Sequence, residues 1–341
     1  MIDKDLLTSS YDYHLPKSQI ALSPAVPADS AKLLVYKREE DKTIHTTFRE
    51  ILEFLPKGVE IFLNDTKVIK ARVFGKKSSG GKIELLLNKP LPTNSFEVLI
   101  RGRVKVESRV FFDLGLEAEV VELLDDGLRV VKFFQNQKEL TFEELIPILE
   151  QIGHTPLPPY INREDTKEDS TYYQSIFAKN YGAVAAPTAS LHFTPELFKK
   201  LQNSFNTHNI TLHIGAGTFK PVEDEIITDF NIHSEYFEVP KSSAKILESS
   251  KEILAVGTTV TRTIENYIKT KKRAGECKLF LHPKNPPKRV NYLLTNFHLP
   301  KSTLIMLVSS FIGREKTLSL YKEAVKRGYR FFSYGDAMLI L

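Results

Sequence analysis

The chain has 341 residues, of which 42% are hydrophobic and 26% are charged. This is the composition of a globular protein whose length allows two domains, or one elaborated domain, with a core that needs no disulfide. The single cysteine, Cys277, excludes an intrachain disulfide and a cluster of thiolate metal ligands. The net charge of +5 favours an anionic partner, although only weakly.

Nothing in the sequence has the length of a membrane helix. Residues 1–5 are charged rather than apolar, and the longest apolar run, residues 304–312, is far shorter than the roughly 20 residues that a membrane helix needs. We therefore expect a cytoplasmic protein without a membrane partner.

The first third of the chain changes character at about Glu60. Residues 33–36 are typical of a buried strand, and residues 48–55 have helical spacing of apolar side chains. Short strand-like runs follow, from Ile61-Phe62-Leu63 to residues 128–134, and glycine-containing turns separate them. Several short strands at this spacing indicate a small antiparallel β-barrel, which we place in an inserted domain at residues 59–151.

The remaining segments, 1–58 and 152–341, form the predicted main domain. Strands and helices alternate there, which indicates an α/β fold, expected as a barrel-like mixed sheet with helices. Thr194 followed by Pro195 predicts the start of a helix. Residues 253–257 predict a buried strand that continues into Thr258-Thr259-Val260-Thr261-Arg262.

Residues 181–239 form the candidate wall of an active site. Within and beyond them, His192, His213, His233 and His298 each lie beside an apolar, strand-like segment. Their spacing is not that of a zinc motif, so no metal is expected. Gly215 and Gly217 begin like a dinucleotide fingerprint, but the third glycine is missing, and a tight turn close to a ligand fits better.

Three charged residues have two interpretations each. In a strand, Glu235 shares a face with His233, so the two form either an acid/base pair or a surface salt bridge. Arg262 and Asp336 follow glycine-containing segments that predict exposed turns. Arg262 could hold a carboxylate and Asp336 could accept from ribose hydroxyls, or both could belong to ordinary turns.

Two basic runs make nucleic acid a plausible partner. One lies between Lys269 and Arg289, and the other at the predicted mouth of the barrel. A solvated charged face is the alternative for each run. The tRNA-contact candidates are Lys70, Arg72, Lys76, Lys77, Lys271, Lys272 and Arg273.

Two long motifs give the chain a family resemblance. Residues 182–194 are Gly-Ala-Val-Ala-Ala-Pro-Thr-Ala-Ser-Leu-His-Phe-Thr, and residues 295–303 are Thr-Asn-Phe-His-Leu-Pro-Lys-Ser-Thr. With further segments across nearly the whole chain, they resemble the S-adenosylmethionine:tRNA ribosyltransferase-isomerases of queuosine biosynthesis. The chain departs from the family pattern at Ser190, Phe230 and Lys284, and in the segment around Ala28.

The resemblance implies a reaction and its partners. The ribosyl part of S-adenosylmethionine moves onto 7-aminomethyl-7-deazaguanine at the tRNA wobble position and is isomerised, and adenine and methionine leave. No permanently bound cofactor is expected, and a monomer is expected. A non-catalytic RNA-binding protein is the alternative from another class.

The implied chemistry suggests roles for the candidate residues. A base must take an acidic C5′ proton, for which Glu235 or a neighbouring histidine is the candidate. An acid must protonate adenine, for which His192 or His298 is the candidate, and the sequence does not order the histidines. Arg262 would hold the methionine carboxylate and Asp336 a ribose hydroxyl. Further substrate contacts are expected from His213, Gly215, Gly217, Thr258, Thr259 and Asn296.

Overall fold

The structure, a computed structural model, describes residues 3–219 and 222–341. The strands are β1 (Lys32–Lys37), β2 (Lys42–Thr47), β3 (Glu60–Asn64), β4 (Thr66–Val68), β5 (Arg72–Lys77), β6 (Lys82–Leu91), β7 (Ser95–Arg101), β8 (Arg109–Phe111), β9 (Leu116–Leu123), β10 (Leu128–Gln135), β11 (Lys138–Glu139), β12 (Asn180–Ala183), β13 (Thr207–Leu212), β14 (Glu235–Glu238), β15 (Ile253–Val256), β16 (Ala274–Cys277), β17 (Tyr292–Asn296) and β18 (Ala337–Ile340). The α-helices are α1 (Phe142–Ile152), α2 (Asp169–Tyr172), α3 (Pro195–Ser204), α4 (Lys241–Leu247), α5 (Thr258–Thr270), α6 (Thr303–Ile312) and α7 (Arg314–Lys326). Short 3-10 turns include Phe48–Glu53, Thr188–His192 and Ala216–Phe219.

Nine of the described strands form one mixed sheet in the order β16-β14-β13-β3-β15-β17-β18-β1-β2. Its central strands β13, β3, β15 and β17 are parallel to their neighbours in this group. Antiparallel pairs extend it through β14 to the edge strand β16, and on the other side β18 is antiparallel to β17, β1 is parallel to β18, and the edge strand β2 is antiparallel to β1. Strand β3 is buried along its whole length, as expected where both faces of a sheet are covered. Apolar clusters pack on the two faces, which confirms the predicted α/β fold with a mixed sheet.

Six of the described strands, β5 to β10, close into an antiparallel barrel. Alternate residues of β6 point inward, so Ile83, Leu85 and Leu87 are buried with Phe133 in a separate apolar core. The barrel that the strand pattern predicts is therefore confirmed. One strand was assigned to the barrel wrongly, because Ile61-Phe62-Leu63 forms part of β3 at the centre of the main sheet. The boundaries at 58/59 and 151/152 stay a prediction.

The start of α3 is as expected, and the start of α5 is not. Thr194 accepts a hydrogen bond from the backbone N–H of Leu197, and Pro195 opens the helix. Thr258–Thr270, however, is a helix rather than a continued strand. Gly257, with φ of +102°, turns the chain out of β15, and the hydroxyls of Thr261 and Thr263 bond to carbonyls four residues earlier. Among the helices of the described residues, none is long and apolar enough to cross a membrane.

Asp336 joins the turn before β18 to β1. Its carboxylate is 1% exposed and accepts hydrogen bonds from the backbone N–H groups of Lys32 and Arg330, at 3.0 and 2.7 Å. A buried carboxylate that satisfies two backbone N–H donors stabilises the folded chain, since each donor would otherwise lose its partner. The sequence placed Asp336 in an exposed turn, and the structure contradicts this.

Replacing Asp336 by alanine should therefore lower the stability of the fold. The substitution leaves two N–H donors unpaired, and we expect a loss of about 2–4 kcal/mol in the free energy of unfolding. Urea unfolding followed by circular dichroism measures it. Asp12→Ala, which removes an exposed carboxylate paired with Lys301 at 2.8 Å, is the matched control and should cost less than about 1 kcal/mol. Equal effects of the two substitutions would contradict this role of Asp336.

Candidate functional site

A cleft of about 830 Å³ lies between the main sheet and the barrel. The sheet side supplies the end of β13, the turn after it, strand β14 and Arg262 of α5, and residues 180–182 of β12, which pairs with β4 outside the main sheet, lie beside them. The barrel side supplies residues 88–92 of β6 and the segment that follows it, together with Glu97 and Leu99 of β7. The site is thus built from residues that are distant in sequence. Six predicted site residues line it, namely His213, Gly215, Gly217, His233, Glu235 and Arg262.

A buried ion pair forms part of the cleft wall. One Nη atom of Arg262 donates to Glu235, and both side chains are less than a tenth exposed. Arg262 also donates to the carbonyls of Leu279 and Cys277, and the N–H of Gly215 donates to Glu235 at 3.3 Å. Burial disfavours the guanidinium charge, but the neighbouring Glu235 carboxylate raises the pKa of Arg262 above its ordinary value. The expected exposed position of Arg262 is wrong, and Glu235 belongs to a buried pair rather than a surface one.

His213 is held by a glycine and a hydroxyl. A Cβ at Gly182 would lie 2.8 Å from the imidazole ring, so only glycine leaves room for it. The hydroxyl of Thr66 lies 2.8 Å from Nδ1, and the ring stacks on Tyr236 with 6.0 Å between centroids. Burial lowers the pKa of His213, which keeps the ring neutral at neutral pH.

His233 also rests on a glycine, but it is exposed in the cleft. A Cβ at Gly217 would approach its ring to 2.5 Å. Of the two glycines that resemble a dinucleotide fingerprint, Gly217 thus leaves room for the His233 ring, and Gly215 donates its N–H to Glu235. The motif's next residues, 220 and 221, lie outside the described part of the chain.

A second, smaller cavity of about 50 Å³ adjoins the cleft at Leu304. It contains four further predicted residues, Thr258, Thr259, Asn296 and His298. His192 lies behind it, with Nε2 at 3.1 Å from the side-chain oxygen of Asn296. Asp336 lines neither of these two cavities and is committed to backbone donors. This position argues against the expected contact of Asp336 with a ribose hydroxyl.

Burial keeps His192 and His298 unprotonated at neutral pH. Desolvation lowers the pKa of His192 to about 4 and that of His298 to about 3. Both rings are therefore neutral at pH 7, and neither carries an imidazolium proton to donate. His298 instead bonds through Nε2 to the Thr295 hydroxyl at 2.8 Å. This argues against the expected acid role of His192 and His298.

Several polar residues in and behind the cleft wall were not predicted from the sequence. Asn88 sits where the register of β6 shifts, and this bulge turns its side chain to the N–H of Ala216, at 3.0 Å, and to Glu97, at 2.5 Å. Asp65 accepts from Thr211 and Asn180, which both line the cleft. The proline-rich segment after Asn88, Lys89-Pro90-Leu91-Pro92, was a signal for the bulge.

The basic candidates fall into different environments. Lys271, Lys272 and Arg273 are exposed between α5 and β16, as expected. Further along that run, Arg289 is not free, because its guanidinium donates to backbone carbonyls that include Leu247. The basic run from Lys269 to Arg289 is therefore not one solvated face along its whole length.

Of the barrel candidates, Arg72, Lys76 and Lys77 lie along β5, and Lys70 precedes this strand. Arg72 pairs with Glu84 at 3.4 Å, and Lys76 is exposed. Lys70 donates to the carbonyl of Glu150, and Lys77 donates to the carbonyl of Arg103. Lys76 is thus the most available of the four for a ligand.

No metal centre emerges from the part of the chain that the structure describes. Within it, no group of three or more His, Cys, Asp or Glu side chains is arranged to hold a metal ion.

Of the departures from the family pattern, Phe230 lines the cleft. Ser190 is fully buried, and Lys284 pairs with Asp3 at 2.6 Å.

The buried histidines make the stability of the fold depend on pH. The folded pKa of His298 is about 3 and the unfolded value is near 6.5, so the unfolded state binds the proton more readily. Stability is therefore full above about pH 6.5 and falls as the pH drops towards 3. From pH 7.5 to 5, His298 alone should remove about 2 kcal/mol.

The His298→Gln substitution keeps a polar partner for Thr295 and removes the titration. We expect the unfolding free energy of this variant to fall by about 2 kcal/mol less than wild type over pH 7.5 to 5. Urea denaturation at each pH measures it, and His14→Gln, at an exposed position, is the control. Parallel stability curves for wild type and His298→Gln would contradict the assignment.

Comparison with known proteins agrees with the resemblance. The profile of the family described as queuosine biosynthesis protein matches residues 8–340. The S-adenosylmethionine:tRNA ribosyltransferase-isomerase of Aliarcobacter butzleri is 62% identical over 336 residues, which is 98% of this chain and 99% of that protein. The protein of the same name from Campylobacter jejuni strain 81-176 is 58% identical over 100% of both chains.

A solved structure agrees as well. The crystal structure of S-adenosylmethionine tRNA ribosyltransferase from Thermotoga maritima is 33% identical, with a TM-score of 0.55, and covers 98% of this chain and 100% of its own. The sequence profile, the relatives and the fold lead to the same assignment. The chain belongs to the queuosine biosynthesis protein family.

Proposed function

We propose that this chain is an S-adenosylmethionine-dependent tRNA ribosyltransferase-isomerase. It transfers the ribosyl part of S-adenosylmethionine onto 7-aminomethyl-7-deazaguanine at the wobble position of tRNA and isomerises it. The products are epoxyqueuosine-tRNA, adenine and methionine. The observation that carries the proposal is the cleft in which the buried Glu235–Arg262 pair and two glycine-backed imidazoles line one space.

The charge of the cleft supports a cationic co-substrate. Among the described side chains that line it, five are carboxylates and two are Lys or Arg cations. The carboxylates are Glu97, Glu143, Glu235, Glu238 and Glu276. S-adenosylmethionine carries a sulfonium and an ammonium group, which this lining complements. The volume of about 830 Å³ also lies in the usual range for small-molecule sites, about 300–1,000 Å³.

Glu235 is the proposed base for the first step. The sulfonium acidifies the adjacent C5′ protons, and a carboxylate fixed in the wall can accept one of them. Arg262 was expected to clamp the methionine carboxylate. Because it is bonded to Glu235 and to two backbone carbonyls, we assign it instead to holding Glu235 in place.

A histidine of the cleft is the proposed acid for the adenine leaving group. His213 and His233 line the cleft, whereas His192 does not, and His298 lies in the smaller cavity. His233 is the more open to solvent, so it can exchange a proton during turnover. The smaller cavity, with Thr258, Thr259 and Asn296, remains a proposed extension of the substrate site.

The remaining partners are also proposed. The tRNA carries the modified wobble base, and both basic groups are candidates for its phosphates, namely Lys70, Arg72, Lys76 and Lys77 on the barrel side and Lys271, Lys272 and Arg273 beyond α5. We propose a cytoplasmic monomer that holds no permanent cofactor and uses S-adenosylmethionine as co-substrate.

Release of adenine tests the function directly. Incubation with S-adenosylmethionine and tRNA carrying the aminomethyl base should give adenine and methionine in equal amounts, and chromatography measures both. The control is tRNA with unmodified guanine at the wobble position, which offers no acceptor amine. Binding of the modified tRNA without adenine release would instead favour the non-catalytic RNA-binding alternative.

Replacing Glu235 by glutamine should slow the reaction. Glutamine keeps the shape and removes the base, so we expect kcat to fall about 100-fold or more. Because Arg262 then loses its buried counter-charge, the variant should also be less stable by about 3–5 kcal/mol.

Activity must therefore be compared at a temperature where circular dichroism shows both proteins folded. Glu248→Gln, which changes a carboxylate bonded to Tyr267 away from the cleft, is the control for a lost charge. If the folded Glu235→Gln enzyme has a kcat within a few-fold of that of wild type, Glu235 has a purely structural role.

A further inference from the structure

Two phenylalanines are exposed on the outer wall of the barrel. Phe74 in β5 is 52% exposed, and Phe111 in β8 is 40% exposed. Alternation along the strands explains the exposure, because the adjacent Val73 and Val110 point into the barrel core. Exposed rings that share one sheet face are a feature of surfaces that bind a partner.

One lysine lies between these rings, and a second lies beside it. Lys76 is paired across the strands with Phe111 on one side and with Lys82 on the other. It also shares the outer face of β5 with Phe74, two residues away. We name Phe74, Lys76, Lys82 and Phe111 the aromatic stripe.

The carboxylates of this face are paired with arginines. Glu84, opposite Phe74, pairs with Arg72 at 3.4 Å and with Arg101 at 3.0 Å. Glu117, opposite Phe111, and Glu119 share Arg109, at 3.6 and 2.9 Å. The cations of the stripe itself are exposed, so the face presents rings and positive charge to solvent.

The stripe is connected to the cleft by the chain itself. Lys67 in β4 lies over the ring of Tyr181, 4.3 Å from its centroid, and Tyr181 lines the cleft. Lys67 and Phe74 are separated by seven positions, so at most about 25 Å of chain joins them. The ring of His154 packs against Phe74, with 5.1 Å between centroids. A few nucleotides can therefore reach from the cleft to the stripe.

We propose that the aromatic stripe binds single-stranded nucleotides that flank the reacting base of the tRNA. Phe74 and Phe111 stack with bases, and Lys76 and Lys82 contact the phosphates between them. Alternating rings and cations are the combination that single-stranded nucleic acid requires, since every base has a face to stack and every link a negative charge. The proposal rests on the proposed function, which makes tRNA the substrate.

Binding of an unmodified anticodon stem-loop RNA tests the stripe. Phe74→Ala and Phe111→Ala should each raise Kd about 5-fold or more, as expected for the loss of a base stack, without changing the salt dependence. Lys76→Ala should instead flatten the slope of log K against log salt by about 0.7–0.9. Phe74→Tyr, which keeps a ring, should bind as wild type does.

Leu123→Ala is the matched control, because Leu123 is 44% exposed on β9 of the same barrel and belongs to no ring–lysine cluster. Its Kd should equal that of wild type. Equal affinities for Phe74→Ala, Phe111→Ala and Leu123→Ala would overturn the proposal. An equal loss of affinity in Phe74→Tyr and Phe74→Ala would also overturn the proposal.

The binding experiment is separable from the proposed function, because it measures neither turnover nor S-adenosylmethionine. If the stem-loop binds as predicted but no adenine is released from the modified tRNA, the stripe stands and the proposed enzyme activity fails. If adenine is released and the phenylalanine variants bind as wild type does, the activity stands and the stripe is wrong.

Discussion

The buried pair of Glu235 and Arg262 is the interaction on which the cleft depends. Two charges removed from water are tolerated only when each is satisfied, and removal of one partner costs about 3–5 kcal/mol. Here Arg262 also bonds to the carbonyls of Leu279 and Cys277, while Glu235 accepts from Gly215. The pair thus fastens β14, α5, the end of β16 and the turn after β13 to one another, and these segments form the sheet side of the site.

The barrel completes the site through a local irregularity. A bulge in β6 presents Asn88 to the backbone of Ala216, in the same turn whose Gly215 bonds to Glu235. The turn is therefore held from both sides, by the barrel and by the ion pair. A base and an acid can be placed around a substrate only if their supports are rigid, and this double attachment supplies such support.

Local patterns predicted the fold well. Short strand-like runs separated by turns predicted the barrel, and Thr194-Pro195 predicted the start of α3. The failures concern long-range partners. The strand predicted at residues 253–257 was expected to run on into residues 258–262, yet Thr258–Thr270 is a helix, because Gly257 turns the chain and the helix packs on the sheet.

The site was predicted in outline, but the roles were not. Glu235 lies 27 positions before Arg262, and no pattern in the sequence announces that the two meet. The histidines looked alike in sequence, and only burial distinguishes neutral His192 and His298 from exposed His233. Asp336 resembled an exposed turn residue, whereas it is buried and accepts from the backbone of Arg330 and of the distant Lys32. Contacts of this kind depend on the completed fold.

The central claim is that S-adenosylmethionine reacts in the cleft beside Glu235. A crystal structure of the protein with S-adenosylmethionine and an anticodon stem-loop bound measures this most directly. We predict the ribosyl C5′ within about 3–3.5 Å of a Glu235 carboxylate oxygen, the distance of a reactive arrangement. S-adenosylmethionine bound outside the cleft, or with C5′ directed away from Glu235, would contradict the account.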